Sequence, residues 1–301
     1  MRMRRRRVGL RAEPTYRQRR FGAELRRLRE RARLSSTEAA ALLGVRQPQL
    51  SSVEAGKTGL SAERVRRLGQ AAGMSSHTFM DALIDFGQRS GKGWWSEYRG
   101  VLGAAHLDLA ELEDAARSVV TYEPMFVPGI LQTQSYAEVL HRGPYRPMPP
   151  EQQDAAVRFR VRRGALLTGE RPPVLHAVIH EAALSVTLGA PEVMRDQLLH
   201  LVELSRLPHV TIQILPFDGP IAFGTGFVLI EPEERELSTA LVSHIEKTLY
   251  LDDPDALAKY RNRFATLTGE ALPAVRPEAS PEAQAARNSL SLLQRILYPL
   301  L

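Results

Sequence analysis

Apolar positions in the first quarter of the chain recur at helical spacing. Phe21, Leu25, Leu28 and Ala32 share one stripe, with Arg26, Arg27, Arg29 and Glu30 opposite, the period of an amphipathic helix. Ser35-Ser36-Thr37-Glu38 has the form of a capping box, in which Ser35 caps and Glu38 reaches back. The short helix it opens runs to Leu43, and Gly44 follows as a turn where positive φ costs little. A second short helix is expected from about Gln47 to Ala55, ended by Gly56. Ser61 opens another that ends near Gly73, and Ser75 or Ser76 starts a fifth carrying Phe79, Leu83, Ile84 and Phe86. The run GQRSGKG, Gly87 to Gly93, reads as a linker.

Beyond it, helix and strand signals mix. Trp94, Trp95 and Tyr98 precede an expected acidic helix from Leu107 to Val120. Pro124, Pro128 and Gly129 break the chain, a helix resumes from Thr133 to Leu140, and a Pro-rich loop runs from Arg142 to Pro150. Helices are expected over 151–167, 190–206, 255–268 and 282–297, with Asp252 capping the one from Pro254. Val174 to Ile179, Val210 to Leu215, Gly226 to Ile230 and Thr239 to Ile245 read as strands. Strands so close together, without helices between them, predict a small mixed or antiparallel sheet. The expected class is mainly α: a five-helix head, then an α+β domain. The expected boundaries are a flexible Arg-rich arm over 1–20, the head over 21–87, a linker over 88–93 and the second domain over 94–301.

Charge sharpens this division. Residues 1–80 hold 19 Lys and Arg against 6 Asp and Glu, a balance of +13, whereas residues 81–301 hold 21 against 28, a balance of −7. Such asymmetry points to a polyanionic partner for the basic part. Arg4 to Arg7 either track phosphates or form a solvated leader. There is no cysteine, which excludes disulfides, Cys-ligated metal and thiol catalysis. No apolar run reaches the ~20 residues of a membrane span, and no apolar stretch follows the basic start as in a signal peptide. A cytoplasmic protein is expected.

The segment Ser36 to Val53 meets the requirements of a helix-turn-helix. Ala40 is small where two helices cross, Gly44 makes the turn, and Leu43, Leu50 and Val53 form the wedge between helices. The stretch FGAELRRLRERARLSSTEAAALLGVRQPQLSSVEAGKTGLS resembles the XRE-type, lambda-repressor-like DNA-binding domain over about 55 residues. The resemblance implies roles position by position. Gln47, Gln49 and Ser52 fall at base-facing positions of the recognition helix, while Ser36, Arg46, Lys57 and Thr58 fall at phosphate-contacting ones. Pro48 and Arg46 depart from the family pattern: proline fits a first helical turn but reads no base edge. Glu54 matches a structural partner near the loop.

The second part resembles a C-terminal domain of unknown function that follows XRE heads in regulators of filamentous high-GC bacteria. YEPMFVPGILQTQSYAEVL, HEAAL, MRDQLLHLVELSRLPHVTIQILP and the G-x-G-F-x-L-I strand match, while RFRVRR (Arg158 to Arg163) departs from an R-x-x-R-Q pattern. The resemblance implies a homodimeric transcription regulator on double-stranded DNA, nucleoid-associated, whose C-terminal domain senses a small-molecule effector or binds a small partner protein. The alternative is an antitoxin-like protein whose main role is that partner. Trp94, Trp95, Tyr122, Phe126 and Tyr136 are candidate ligand or interface residues, against ordinary core packing. Enzyme patterns fail: His180-Glu181 lacks the H-E-x-x-H spacing, His176 and His180 alone make too few ligands, and Gly224-Thr225-Gly226 is too short to cradle a phosphate. No catalytic residue, metal or cofactor is expected, and no membrane partner.

Overall fold

Thr15 caps the first helix: its hydroxyl accepts from the Gln18 amide at 3.3 Å while its own amide donates to the Gln18 side chain at 2.9 Å. Helix α1 therefore spans Tyr16–Arg31 and starts five residues before the expected Phe21. Residues 16–20 belong to the head rather than to an arm, because Arg17 donates to the Phe86 carbonyl at 2.8 Å and lies 4.6 Å over the Phe86 ring, and Arg20 pairs with Glu24 at 2.7 Å. The computed structural model describes residues 13–88, 91, 93–143, 148–186, 188–219, 225–244, 247–278 and 287–301. Arg4 to Arg7, Gly224 and the expected helix start at Glu282 lie outside them.

The chain divides into two compact units between Gly93 and Trp94. The first continues with α2 (Ser36–Leu43), α3 (Gln47–Glu54), α4 (Ala62–Ala71) and α5 (His77–Gln88), which extends into the expected linker. Leu25, Leu43, Leu50, Val53, Val65, Leu68 and Leu83 are buried at its centre, each burial contributing roughly 1.5–3 kcal/mol. Two glycines set how closely α1 approaches the end of α3. A Cβ on Gly22 would stand 2.5 Å from the Glu54 carbonyl oxygen, and one on Gly56 would stand 2.7 Å from that of Gln18.

The second unit is α+β. In order come α6 (Ala104–Asp114), β1 (Ser118–Glu123), α7 (Gln134–Arg142), α8 (Pro150–Gly164), β2 (Val174–His180), α9 (Glu181–Ser185), α10 (Pro191–Leu204), β3 (Val210–Leu215), β4 (Phe227–Glu231), β5 (Thr239–Ser243), β6 (Thr248–Leu251), α11 (Pro254–Glu270) and α12 (Ser289–Leu297). The strands form one mixed sheet in the order β3-β2-β1-β4-β5-β6. β1, β2 and β3 run parallel, and β4, β5 and β6 follow, each antiparallel to its neighbour. The mixed sheet was expected, but two of its strands were not. The expected helix over 107–120 ends at Asp114, and the β-branched run Ser118-Val-Val-Thr-Tyr forms the central strand. Helices do separate the parallel strands: α7 and α8 connect β1 to β2, as α9 and α10 connect β2 to β3. β6 is four residues at the sheet edge. The opposite edge is covered, because Leu272 and Val275 donate their amides to the Ile214 and Ile212 carbonyls at 2.9 Å, and Ser289 accepts from the Ile214 amide at 2.9 Å. Asp253, not Asp252, caps α11, accepting from the amides of Asp255 and Ala256.

Strand alternation gives the sheet two different faces. Tyr122 and Phe227 pack against Phe264 and Leu267 of α11. Val119, Thr121 and Glu123 point the other way, into a cavity of about 540 Å³ also lined from α6, α7, α8 and the segment Phe126–Gln132.

Candidate nucleic-acid interface

The two helices of the turn are specified locally. The expected capping box is present: the Ser35 hydroxyl accepts from the Glu38 amide at 3.2 Å, and the Ser35 amide donates to the Glu38 carboxylate at 2.8 Å. Gly44 adopts φ 60°, and the amides of Gly44 and Val45 return to the carbonyls of Ala41 and Ala40, a Schellman ending. The other carbonyls at this end are held from α4. Arg64 donates to Leu43 at 2.9 Å and to Gly44 at 3.3 Å, and Arg67 to Leu42 at 3.3 Å. Gly56, at φ 72°, ends α3 in the same manner, with Lys57 donating to the Ser52 carbonyl at 2.9 Å.

Helix α3 presents one buried and one open side. Leu50 and Val53 are buried, while Arg46, Gln47, Pro48, Gln49, Ser51, Lys57 and Thr58 are exposed and Ser36 and Ser52 partly so. Arg46 occupies the N-cap without a side-chain cap bond and Pro48 sits in the first turn, so the positive end of the helix stays open to an anion. The Gln47 amide donates to Ser51 at 3.2 Å, and the Ser52 hydroxyl donates back to the Pro48 carbonyl at 3.1 Å. Among the described residues the Gln49 side chain makes no hydrogen bond. Ser51 was not among the expected contacts, although its place one turn after Gln47 and opposite Leu50 and Val53 marks it as outward-facing. Glu54 is turned inward and receives two bonds from Arg29, at 2.6 and 3.3 Å, which ties α3 to α1. At the start of α2 the Glu38 carboxyl, held below the usual carboxylate range by the Ser35 hydroxyl and amide, places a negative charge close to Ser36.

Of the five aromatic candidates of the second unit, only Trp94 and Trp95 meet, edge to face at 5.9 Å. Trp94 packs 5.0 Å from Phe159, and Trp95 is buried in the same cluster. Tyr122 lies on the α11 face of the sheet. The Tyr136 hydroxyl accepts from the Val127 amide at 3.1 Å. Phe126 alone of the five lines the cavity. Of the two histidines, His176 bonds Gln213 at 2.7 Å, and His180 Nδ1 accepts from the Ala182 amide as the cap of α9. No helix of the described residues is long and apolar enough to cross a membrane.

Comparison with known families agrees with this division. Residues 20–82 match the family described as a helix-turn-helix domain, which implies DNA binding. Residues 107–278 match the family described as Domain of unknown function (DUF5753). No curated protein and no solved structure matches the chain. Because the second match spans more than half of the 301 residues, the chain belongs to the DUF5753 family, and it carries a helix-turn-helix domain ahead of that region.

Proposed function

We propose that the protein is a sequence-specific transcription regulator acting in the cytoplasm, with α3 as recognition helix in the major groove. The observation that carries this reading is the open face of α3. It is fixed to α1 through Glu54 and to α2 through the Gly44 turn, and it ends in an uncapped N-terminus flanked by Arg46. A groove about 12 Å wide admits such a helix. Gln47 and Gln49 offer the donor and acceptor pair that suits adenine, while Arg46, Lys57, Thr58 and Ser36 stand where phosphates pass. A homodimer would place two recognition helices ~34 Å apart on one face of the duplex. The C-terminal domain would control operator occupancy by favouring or opposing that spacing, which requires different effector affinity for the two arrangements.

The test is genome-fragment capture with the wild-type protein and an Arg46→Ala, Gln47→Ala double variant. Enriched fragments sharing an inverted repeat, lost in the variant, are expected. Diffuse, salt-sensitive capture that the variant leaves unchanged would remove the recognition role from α3.

A further inference from the structure

The cavity on the Val119, Thr121 and Glu123 face of the sheet holds polar groups that are almost all engaged. Arg163 makes two bonds of 2.7 Å to Glu113. Gln132 donates to the Val127 carbonyl at 2.7 Å and accepts from Arg160 at 3.0 Å. Thr121 donates to the Phe227 carbonyl at 3.2 Å. Glu123 differs. Its carboxylate, at the end of the central strand, makes no hydrogen bond or ion pair among the described residues. It lines both this cavity and an adjoining one of about 400 Å³. Two glycines leave room for the arrangement: a Cβ on Gly226 would stand 2.7 Å from Glu123 Oε2, and one on Gly129 would collide with the Arg160 guanidinium.

With Glu123 ionised, the charges around the cavity also balance. Glu113 and Glu123 face Arg160 and Arg163, with His141 of α7 as the remaining titratable group. An occupant with net charge would upset this balance. An uncharged occupant with an N–H or O–H would supply a donor to the Glu123 carboxylate.

We propose that this chamber binds a small uncharged organic molecule whose polar head donates a hydrogen bond to Glu123 and whose apolar body lies against Val119, Phe126, Ile130 and Val228. The volume falls within the range of small-molecule sites, mostly apolar with a few convergent polar groups. Burial pushes the Glu123 carboxyl up to about 7, against the opposing pull of Arg160 and Arg163. A donor to the ionised carboxylate therefore competes with a proton below that pH, so affinity rises as pH rises through about 7. This site rests on the reading of the C-terminal domain as the controlling part of a regulator, and it names the class of effector.

The experiment compares phenylacetamide, phenethylamine and phenylacetate, three probes on one ring skeleton, by ligand-observed NMR on the full chain at millimolar probe. The amide is expected to bind most tightly, Glu123→Gln to weaken it about tenfold, and Val228→Phe, which fills the chamber, to abolish it. Thermal unfolding of each variant reports whether it is folded, and the nearly isosteric Glu123→Gln carries the test if Val228→Phe is not. No binding of the amide, tighter binding of the amine or the acid, or amide binding undiminished in Glu123→Gln overturns the proposal. DNA capture on the same samples separates the two readings. Probe binding without DNA binding sinks the regulator and keeps the chamber, and DNA binding without probe binding does the reverse.

Discussion

Arg33 is the one non-glycine residue with positive φ among the described residues, at φ 57°. It closes α1 with the amides of Arg33 and Leu34 returning to the carbonyls of Glu30 and Arg29, a position where glycine is the usual choice. The left-handed conformation costs a side-chain-bearing residue roughly 1–2 kcal/mol. Arg33→Gly should therefore raise the stability of the head by up to about 1 kcal/mol, read as the denaturant midpoint; a lower midpoint would contradict the strain. If the exposed guanidinium beside α2 holds a phosphate, the same change reduces the slope of log affinity against log salt by about 1. Glu123 makes a second residue-scale prediction. Its carboxyl rises from 4.5 to about 7 on folding, so between those values the native state holds a proton that the unfolded chain releases. Stability then falls as pH rises through that window. Glu123→Gln should flatten this dependence and stabilise the protein above pH 7 by about 3 kcal/mol at most. Equal melting shifts at pH 5 and pH 8 would refute it.

At the scale of elements, α3 is placed by its contacts with α1 and α2. Gly22 lets α1 approach the end of α3, with a Cβ there only 2.5 Å from the Glu54 carbonyl oxygen. Gly22→Ala should force the two helices apart, at a cost of about 1–3 kcal/mol by thermal unfolding, and weaken DNA binding although Gly22 faces no groove. Undiminished stability would mean that the crossing has slack. Arg64 and Arg67 of α4 bond the last carbonyls of α2, a cap no local signal announces. By contrast, the Ser35 and Glu38 box, the Gly44 turn and the α3 wedge of Leu50 and Val53 were legible in the sequence. β1 is not legible as a strand, because the acidic helix before it reads on across Ser118 to Val120. With β1 absent from that reading, the crossover through α7 and α8 is lost as well.

For the whole molecule, the balance of +13 over residues 1–80 against −7 over the rest confines attraction for a polyanion to the N-terminal part. Lys57→Ala should weaken binding by a similar factor on every DNA sequence, whereas Gln49→Ala should relax preference at one base position. Loss of sequence preference in Lys57→Ala would move Lys57 to base readout. What the sequence alone determined about this protein is what neighbours within a turn or two can decide: caps, left-handed glycines, apolar stripes, and with them the helix-turn-helix and its exposed side chains. What only the tertiary structure decided depends on partners far apart in the chain. Arg17 reads as part of a flexible arm until Phe86, 69 residues further on, holds it in the head. Tyr122 reads either as a ligand or interface aromatic or as core, and the pleat of β1 decides for core by turning it toward α11 and giving the cavity to Thr121 and Glu123. The choice of face belongs to the pairing of β1 with β2 and β4, more than fifty and a hundred residues away along the chain. Which side of a strand is covered by which helix is settled when the whole sheet packs, not by the strand's own residues.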